Sequence, residues 1–195
     1  MPRPRKFDES DVLAAARDEF WTRGYAATSV DDLTNVTGLG KGSLYGAFGD
    51  KHRLFLRALN DYVTTSMETV RAQLRDPDAT AYERLTNHIR TQVKAIAADT
   101  GRHGCMMAKS AAELGGFDDE VEVVVERAYA EWRSELTACI KEAQRDGAID
   151  KKQNAQALAA TLLAFMRGQE ALHKGGVKPA QLKAAADQMI ALIPK

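Results

Sequence analysis

The feature that most constrains the fold of this chain is the helical spacing of its apolar residues. Between residues 118 and 146, apolar side chains return every three or four positions, and they include Val121, Trp132 and Leu136. No segment alternates apolar and polar residues convincingly, and the most strand-like run, residues 121–125, is part of this helical pattern. The sequence therefore predicts an all-α fold.

Glycine and proline residues mark where the predicted helices end. Gly24 and Gly38 follow the first two helices, and Pro77 follows the fourth, because proline lacks the amide donor that a continuing helix needs. Ser29 is the expected N-cap of the second helix, with Asp32 three residues later as in a capping box. The other helices are expected at about residues 8–23, 41–47, 50–75, 81–98, 105–114, 118–146, 154–174 and 179–193.

Composition and charge limit the classes of protein to which the chain can belong. With 195 residues and 45% hydrophobic content, it can bury a substantial core. Its formal net charge is +0, so a nucleic-acid partner would have to meet a local basic patch. No apolar run is long enough for a membrane span or a signal peptide, and two cysteines, Cys105 and Cys139, suit a reducing compartment. We therefore expect a cytoplasmic protein with no membrane partner.

The glycine-rich segment TGLGKGSLYGAF, residues 37–48, raises the question of phosphate binding. It does not fit a P-loop, because Asn35 stands where the first glycine is required and Gly42 stands where a serine or threonine should follow the lysine. A dinucleotide-binding fingerprint also fails, because Ser43 and Tyr45 stand where its third glycine would be. A glycine turn between two short helices is instead typical of a helix-turn-helix.

Residues 27–59 resemble the DNA-binding module of TetR/AcrR-type transcriptional regulators. That module has a threonine-rich helix start, a glycine turn, a K-G-[ST]-[LIF]-Y-x-x-F recognition segment and a lysine that opens the next helix. The matching positions in this chain are Thr28, Gly38, Lys41, Gly42, Ser43, Leu44, Tyr45, Phe48 and Lys51. The match reaches back to the first predicted helix; beyond the module, the chain resembles the family only in its helix pattern and length.

The resemblance implies a bacterial regulator with two domains. It implies a three-helix helix-turn-helix domain over residues 1–50, with a basic arm at residues 1–7, and a larger effector-binding and dimerisation domain over residues 51–195. It further implies a homodimer that represses transcription from a palindromic operator and is released by a small effector. No cofactor is implied. The chain also lacks a nucleophile elbow and an H-E-x-x-H pair, so we expect no enzymatic activity.

The residues expected to contact DNA are cationic residues, residues with hydroxyl groups and residues at helix N-termini of the module. Lys41 and Tyr45 lie four residues apart, so one helical face presents both to the duplex. Lys51 begins the fourth helix, where the helix dipole also favours a phosphate. The expected contacts are Thr28, Ser29, Lys41, Gly42, Ser43, Tyr45 and Lys51, with Arg3 and Arg5 from the arm. Gly40 and Gly46 leave few side chains to read bases, and the choice of bases stays open.

An effector site is expected among the middle helices, with a lipophilic or amphipathic ligand. The candidate residues are His88, Gln92, Ile96, Cys105, Met106, Tyr129, Trp132 and Phe165. Aromatic and methionine side chains at helical spacing also serve as ordinary core, so a packing role is the open alternative for each of them.

The last two predicted helices are expected to form the dimer interface. The helix over residues 154–174 is apolar almost all round, so it needs packing partners on two sides. The expected interface residues are Leu158, Leu162, Phe165, Leu182, Met189 and Ile190. In the family such helices form a four-helix bundle with the second subunit, whereas the alternative is an ordinary core within one chain.

Cys105 suggests an alternative within the same class of regulator, in which a cysteine senses oxidants or electrophiles. It falls at a predicted helix N-terminus with Lys109 one turn later, and both features stabilise a thiolate, as in family members that sense oxidants or electrophiles. The other interpretation is a small buried residue that packs against a neighbouring helix. His103 and Cys105 lack a third ligand nearby, so no metal site is expected. A helical ligand-binding module without DNA binding is the remaining alternative.

Overall fold

The computed structural model describes residues 8–195, and this part of the chain is built from α-helices without any strand. The helices are α1 (Glu9–Arg23), α2 (Val30–Thr37), α3 (Lys41–Phe48), α4 (Lys51–Leu74), α5 (Ala81–Ala98), α6 (Met106–Leu114), α7 (Asp119–Arg145), α8 (Ala155–Lys174) and α9 (Pro179–Ala191). The all-α prediction is confirmed. Within the described residues, no helix is both long enough and apolar enough to cross a bilayer.

Local capping interactions explain why the helices begin and end close to their predicted positions. Ser29 and Asp32 form the predicted capping box: the Asp32 amide donates to Ser29 Oγ at 3.0 Å, and the Ser29 amide donates to Asp32 Oδ2 at 2.8 Å. Gly38 ends α2 in the left-handed region, with φ 67° and ψ 11°. Asn154 caps α8, so this residue lies just outside the helix rather than inside it.

Packing divides the described chain into two compact units. The first unit ends at Thr64 and also takes in Cys105–Val125, which contains α6 and the start of α7. The second unit consists of Thr65–Gly104 and Glu126–Lys195. The division by function after residue 50 stays a prediction, since the packing assigns the first half of α4 and all of α6 to the same unit as α1, α2 and α3.

The core of the first unit holds α1, α2 and α3 together. Phe20 of α1 and Phe55 of α4 are buried, with their rings edge to face at 5.1 Å between centroids. Leu33 of α2 and Leu44 and Phe48 of α3 are buried in the same unit. Burying a side chain of this size stabilises the fold by about 1.5–3 kcal/mol. These contacts fix which face of α3 points inward.

The second unit is built around α5, which packs against α8 and α9. Its core includes Leu85, Ile89, Leu136 and Met166, all essentially without exposed surface. Ion pairs join α4, the residue that follows it and α5 to α7 in this unit: Arg71 to Glu131, Arg75 to Glu135, and Arg84 to Glu142. The unit therefore has its own hydrophobic core and its own polar links between helices.

Candidate nucleic-acid interface

A glycine turn joins α2 to α3 and sets the position of α3. Gly38 adopts a left-handed backbone conformation, which glycine reaches at little steric cost because it has no side chain. Residues 38–40 form the whole connection between the two helices. Gly40 then serves as the N-cap residue of α3 without contributing a side-chain hydrogen bond. The result is a helix-turn-helix, as the sequence predicted.

The outer face of α3 carries few side chains. Lys41, Gly42, Ser43 and Gly46 are exposed, and Tyr45 is half-buried. The Lys41 ammonium lies 6.0 Å from the centroid of the Tyr45 ring, so these two residues share one face, as their spacing predicted. An amine, a hydroxyl and a phenol are therefore presented together on an otherwise bare helix surface.

The glycines of this segment are not needed for packing inside the chain. A Cβ atom built on Gly40, Gly42 or Gly46 meets no heavy atom within 4 Å. A glycine inside a helix lowers its stability by roughly 0.5–1 kcal/mol relative to alanine, so Gly42 and Gly46 weaken α3. Their missing side chains leave the α3 backbone accessible to another molecule at short distance.

The structure corrects the expected role of the Thr28 hydroxyl. Thr28 is fully buried, and its Oγ1 donates to the carbonyl oxygen of Gly24 at 2.6 Å. This hydroxyl therefore stabilises the loop between α1 and α2 and has no surface from which to reach a phosphate. Ser29 is exposed, but its hydroxyl donates to Asp32 Oδ2 at 2.6 Å. Hydrogen bonds from Ser29 lower the pKa of Asp32 to about 2, so this helix start carries a negative charge at neutral pH.

Lys51 lies at the start of α4 beside an aromatic ring. Its ammonium is 4.3 Å from the centroid of the Tyr25 ring, which is a favourable distance for a cation–π contact. Burial lowers the pKa of Lys51, and the Glu113 carboxylate opposes this shift. Lys51 is thus half-buried and already engaged by neighbours of its own unit. The other two predicted cations, Arg3 and Arg5, lie outside the described residues.

Helix α6 contacts the end of α1 through a lysine. The Lys109 ammonium donates to the carbonyl oxygens of Trp21 at 2.6 Å and of Thr22 at 2.8 Å. These carbonyls belong to the last turn of α1, where a positive charge is favoured by the helix dipole. Lys109 was expected to stabilise a Cys105 thiolate, and these two hydrogen bonds give it a structural role at α1.

Glu113, one turn further along α6, holds the loop that leads from α1 to α2. Its carboxylate accepts hydrogen bonds from the backbone amides of Tyr25, at 2.9 Å, and Ala26, at 2.6 Å. Gly24 has φ 89°, and a Cβ atom there would lie 2.7 Å from Glu113 Oε2. Lys109 and Glu113 together form what we call the α6 anchor. Sequence reasoning missed it, because an i, i+4 lysine–glutamate pair usually marks a solvated helix face.

A second polar link joins α4 to the start of α7. His52 Nε2 lies 2.6 Å from Asp118 Oδ2, and Asp118 Oδ1 accepts a hydrogen bond from the Val121 amide at 3.1 Å. Burial raises the pKa of Asp118, but the Val121 amide and His52 outweigh this effect and lower it below its usual value. Asp118 is therefore a charged N-cap at neutral pH.

The structure distributes the expected effector residues over both units. Cys105 and Met106 belong to the first unit, and His88, Gln92, Ile96, Tyr129, Trp132 and Phe165 belong to the second. His88, Ile96, Cys105, Met106 and Trp132 are buried, whereas Gln92, Tyr129 and Phe165 are half-buried. The eight residues therefore do not belong to one core.

His88 and Trp132 form a hydrogen-bonded pair inside the second unit. The Trp132 indole N–H donates to His88 Nε2 at 3.0 Å, and His88 Nδ1 lies 2.7 Å from Gln73 Oε1. Since an amide oxygen only accepts, the proton of the neutral ring is assigned to Nδ1. Burial, followed by the charge of Arg167, lowers the pKa of His88 to about 4. His88 is therefore uncharged at neutral pH.

A half-buried ion pair lies beside Trp132. The Arg167 guanidinium is 4.6 Å from the Trp132 ring centroid, and its Nη1 is 2.9 Å from Glu170 Oε2. Burial raises the pKa of Glu170 to about 7, although Arg167 opposes the shift. Trp132 thus contacts two polar partners of its own unit, His88 through its indole N–H and Arg167 through its ring.

Three of the expected dimer residues face the interior of their own protomer. Leu162, Leu182 and Ile190 are 0%, 1% and 7% exposed, so they have almost no surface for a partner. The reason is that α8 and α9 pack on α5 within the same protomer, and these side chains are buried there. Leu158, Phe165 and Met189 are half-buried, and for them the interface role stays a prediction.

Small residues form the outer surface of α8. The exposed positions include Ala157, Ala160, Ala164, Gly168 and Ala171, which return every three or four residues. Helices with small residues on one face can approach a partner helix closely. This surface, which we call the small-residue face of α8, was not singled out from the sequence because its members are weakly hydrophobic.

Cys105 and Cys139 are both buried, and burial raises the pKa of Cys139 to about 11. Within residues 8–195, no three His, Cys, Asp or Glu side chains are grouped closely enough to hold a metal ion.

Two family models match the chain over regions that agree with this architecture. The model described as bacterial regulatory proteins, tetR family, matches residues 12–58, which include α2, the glycine turn and α3. The model described as tetracyclin repressor-like, C-terminal domain, matches residues 81–189. The second match alone covers more than half of the 195 residues.

Similar proteins include two repressors of Escherichia coli (strain K12). The HTH-type transcriptional repressor BdcR is 36% identical over 105 residues, which are 54% of this chain and 53% of BdcR, so the matched stretch spans about half of that relative. The HTH-type transcriptional repressor ComR is 24% identical over 193 residues, or 99% of this chain and 92% of ComR.

A solved structure extends this similarity to the whole fold. A cysteine mutant of the TetR family transcriptional regulator CifR, complexed with 26-base-pair double-strand operator DNA, is 26% identical to this chain. The two structures superpose with a TM-score of 0.85 over 98% of this chain and 100% of the CifR chain. Together with the two family models, these similarities show that the chain belongs to the TetR family of bacterial regulatory proteins.

Proposed function

We propose that this chain is a ligand-responsive transcriptional repressor that binds a palindromic operator as a homodimer. The observation that carries the proposal is the outer face of α3, which presents Lys41, Ser43 and Tyr45 around glycines that leave the backbone accessible. A helix of this kind in a helix-turn-helix enters the major groove of DNA. The repressors BdcR and ComR, and the operator complex of CifR, support the same assignment.

The roles of the residues follow from their chemistry. Lys41 contributes a charge to a phosphate, and Tyr45 and Ser43 contribute hydroxyl groups for phosphate or base edges. Gly42 permits close approach of the helix backbone to the duplex. Lys51 remains a candidate phosphate contact at the α4 N-terminus. Thr28 acts indirectly, because its buried hydroxyl supports the loop before α2.

Dimerisation is assigned to α8 and α9. The small-residue face of α8 supports this assignment, because it is exposed in the protomer and suited to close helix packing. A two-fold dimer would place its two α3 helices about 35 Å apart, one turn of DNA, or a multiple of that distance. Such spacing requires an operator with two related half-sites.

Effector binding in the second unit would alter DNA binding through helices that both units share. Both α4 and α7 begin in the first unit and end in the second. A ligand that favours one arrangement of these helices would change the spacing of the two α3 helices, and a coupling of about 1–3 kcal/mol suffices to weaken operator binding. The relatives are regulators, and we assign no catalytic activity to this chain.

Substitution of Lys41 and Tyr45 tests the DNA-binding face. An operator fragment is first selected from a random DNA pool with the wild-type protein, and its affinity is measured over a range of salt concentrations. We expect Lys41→Ala to weaken binding and to reduce the salt slope by about 1, because one phosphate contact is lost. We expect Tyr45→Ala to weaken binding strongly, and Tyr45→Phe separates the loss of the hydroxyl from the loss of packing.

Lys141→Ala is the matched control, because Lys141 is an exposed lysine on α7. It should bind the operator as the wild type does. Binding that responds neither to salt nor to the Lys41 and Tyr45 substitutions would contradict the proposed function.

A further inference from the structure

A cleft lies between α5 and α9. It belongs entirely to the second unit and has a volume of about 680 Å³. Drug-sized ligands occupy sites of about 300–1,000 Å³. None of the eight residues expected from the sequence to bind an effector lines this cleft.

The floor of the cleft is apolar. Val93 of α5 and Ala186 of α9 are almost fully buried beneath it, and Ala97, Pro179 and Ala180 complete the surface. These side chains are short, so the two helices leave a depression between them instead of filling it. The accessible apolar surface belongs mainly to Ala97, Pro179 and Ala180, and an apolar ligand body laid on it would remove that surface from water.

The rim of the cleft is mainly positive. Arg90 and Lys94 extend from α5 and Lys183 from α9, and all three are exposed. Asp187 is the one carboxylate of the lining, so the rim carries two more positive than negative charges. Over residues 8–195, no carboxylate oxygen lies within 4.0 Å of the charged nitrogens of Arg90, Lys94 or Lys183.

We propose that the cleft between α5 and α9 binds a small amphipathic carboxylate, with its apolar body on Ala97, Pro179 and Ala180 and its carboxylate between Lys94, Lys183 and Arg90. The charge distribution selects the anion, because an uncharged analogue gains nothing from the rim and a cation is repelled by it. The role of this ligand as the effector rests on the proposed function, whereas the binding site follows from the cleft alone.

Decanoate is a suitable probe, used below its micelle-forming concentration with the full-length protein. Its affinity is measured by isothermal titration calorimetry and compared with that of 1-decanol and of decyltrimethylammonium, which carry the same chain on an uncharged and a cationic head. We expect decanoate to bind once per protomer, 1-decanol to bind roughly tenfold more weakly or worse, and the cation not to bind.

Two variants with changes in the cleft test whether decanoate binds there. The triple variant Arg90→Gln, Lys94→Gln and Lys183→Gln removes the positive rim, and we expect it to lose at least about tenfold in decanoate affinity. The variant Ala180→Trp fills the cleft with an indole and should abolish binding. The matched controls are the triple variant Lys141→Gln, Arg145→Gln and Lys152→Gln and the variant Ala72→Trp, all at exposed positions outside the cleft. Both controls should bind decanoate normally.

Four outcomes would overturn the proposal. The first two are failure of the wild-type protein to bind decanoate and equal affinity for decanoate and 1-decanol. The third is decanoate binding that is unchanged in both the triple cleft variant and Ala180→Trp. The fourth is a change of oligomeric mass in the triple cleft variant. The last outcome would assign the cleft to an interface between copies of the chain. Operator binding is measured on the same preparations. Decanoate binding without operator binding would refute the proposed function alone. Operator binding without decanoate binding would refute the proposed ligand site alone.

Discussion

Gly42 lies at the second position of α3, where its missing side chain faces away from the chain. The motif residues around it divide by burial. Leu44 and Phe48 are buried and hold α3 in place, while Lys41 and Ser43 are exposed on the opposite side. A motif that reads as one unit along the sequence therefore contains two kinds of residue, one that positions the helix and one that is available to a partner.

The substitution Gly42→Ala should change stability and DNA affinity in opposite directions. Alanine meets no atom within 4 Å and favours the helix, so we expect stabilisation by about 0.5–1 kcal/mol. The added methyl group would stand between α3 and the duplex, so we expect weaker operator binding. Urea unfolding and operator titration measure the two effects.

The control for Gly42→Ala is Ser134→Ala, at an exposed position within α7. Alanine is a better helix former than serine, so this change should also raise stability while leaving operator affinity unaltered. Operator binding that is unchanged or tighter in Gly42→Ala would refute close approach of α3 to DNA.

At the scale of elements, α6 determines how the end of α1 and the start of α2 are held. The α6 anchor binds the last carbonyls of α1 through Lys109 and the loop amides of Tyr25 and Ala26 through Glu113. The module seen in the sequence ends before α6 begins, yet α6 supports it. Any rearrangement of α6 would therefore act directly on the loop that precedes α2.

The substitution Glu113→Gln tests the α6 anchor. A neutral amide cannot accept two backbone hydrogen bonds with the strength of a carboxylate, and hydrogen bonds to charged groups contribute about 1.5–3 kcal/mol each. We expect the free energy of unfolding to fall by about 1–3 kcal/mol and operator affinity to fall with it. Chemical denaturation and operator titration provide the readouts.

Glu126→Gln, at an exposed position of α7 beyond its first turn, removes the same charge without removing a loop contact and should leave both quantities near their wild-type values. If Glu113→Gln proves as stable as this control, the anchor does not contribute to holding the loop.

At the scale of the whole molecule, the proposed function requires two copies of the chain. The protomer already buries Leu162, Leu182 and Ile190 within itself, so we expect the partner to meet other residues of α8 and α9. The small-residue face of α8 is exposed in the protomer, and it is the surface that we propose for this contact. The operator then needs two half-sites whose separation matches the dimer.

The substitution Ala164→Glu places a charge in the middle of that face and should prevent dimerisation. An unpaired carboxylate is costly to bury in a helix interface. We expect light scattering at micromolar concentration to give a dimer for the wild type and a monomer for Ala164→Glu, with weaker operator binding in the variant. Ala72→Glu, at an exposed position on α4, should remain dimeric. A wild-type protein of monomer mass would contradict the assignment.

The sequence alone determined the helices, the glycine turn and the family module, because caps, breakers and helical periodicity act between residues within one or two turns. Ser29 with Asp32, and Gly38, are found where the sequence predicted them. The tertiary structure decided which of these residues are available to a partner. The burial of Thr28 and Leu162, the hydrogen bonds of Glu113 to Tyr25 and Ala26, and the cleft beside Lys94 and Lys183 all depend on distances between segments far apart in the chain, which periodicity and local motifs do not encode.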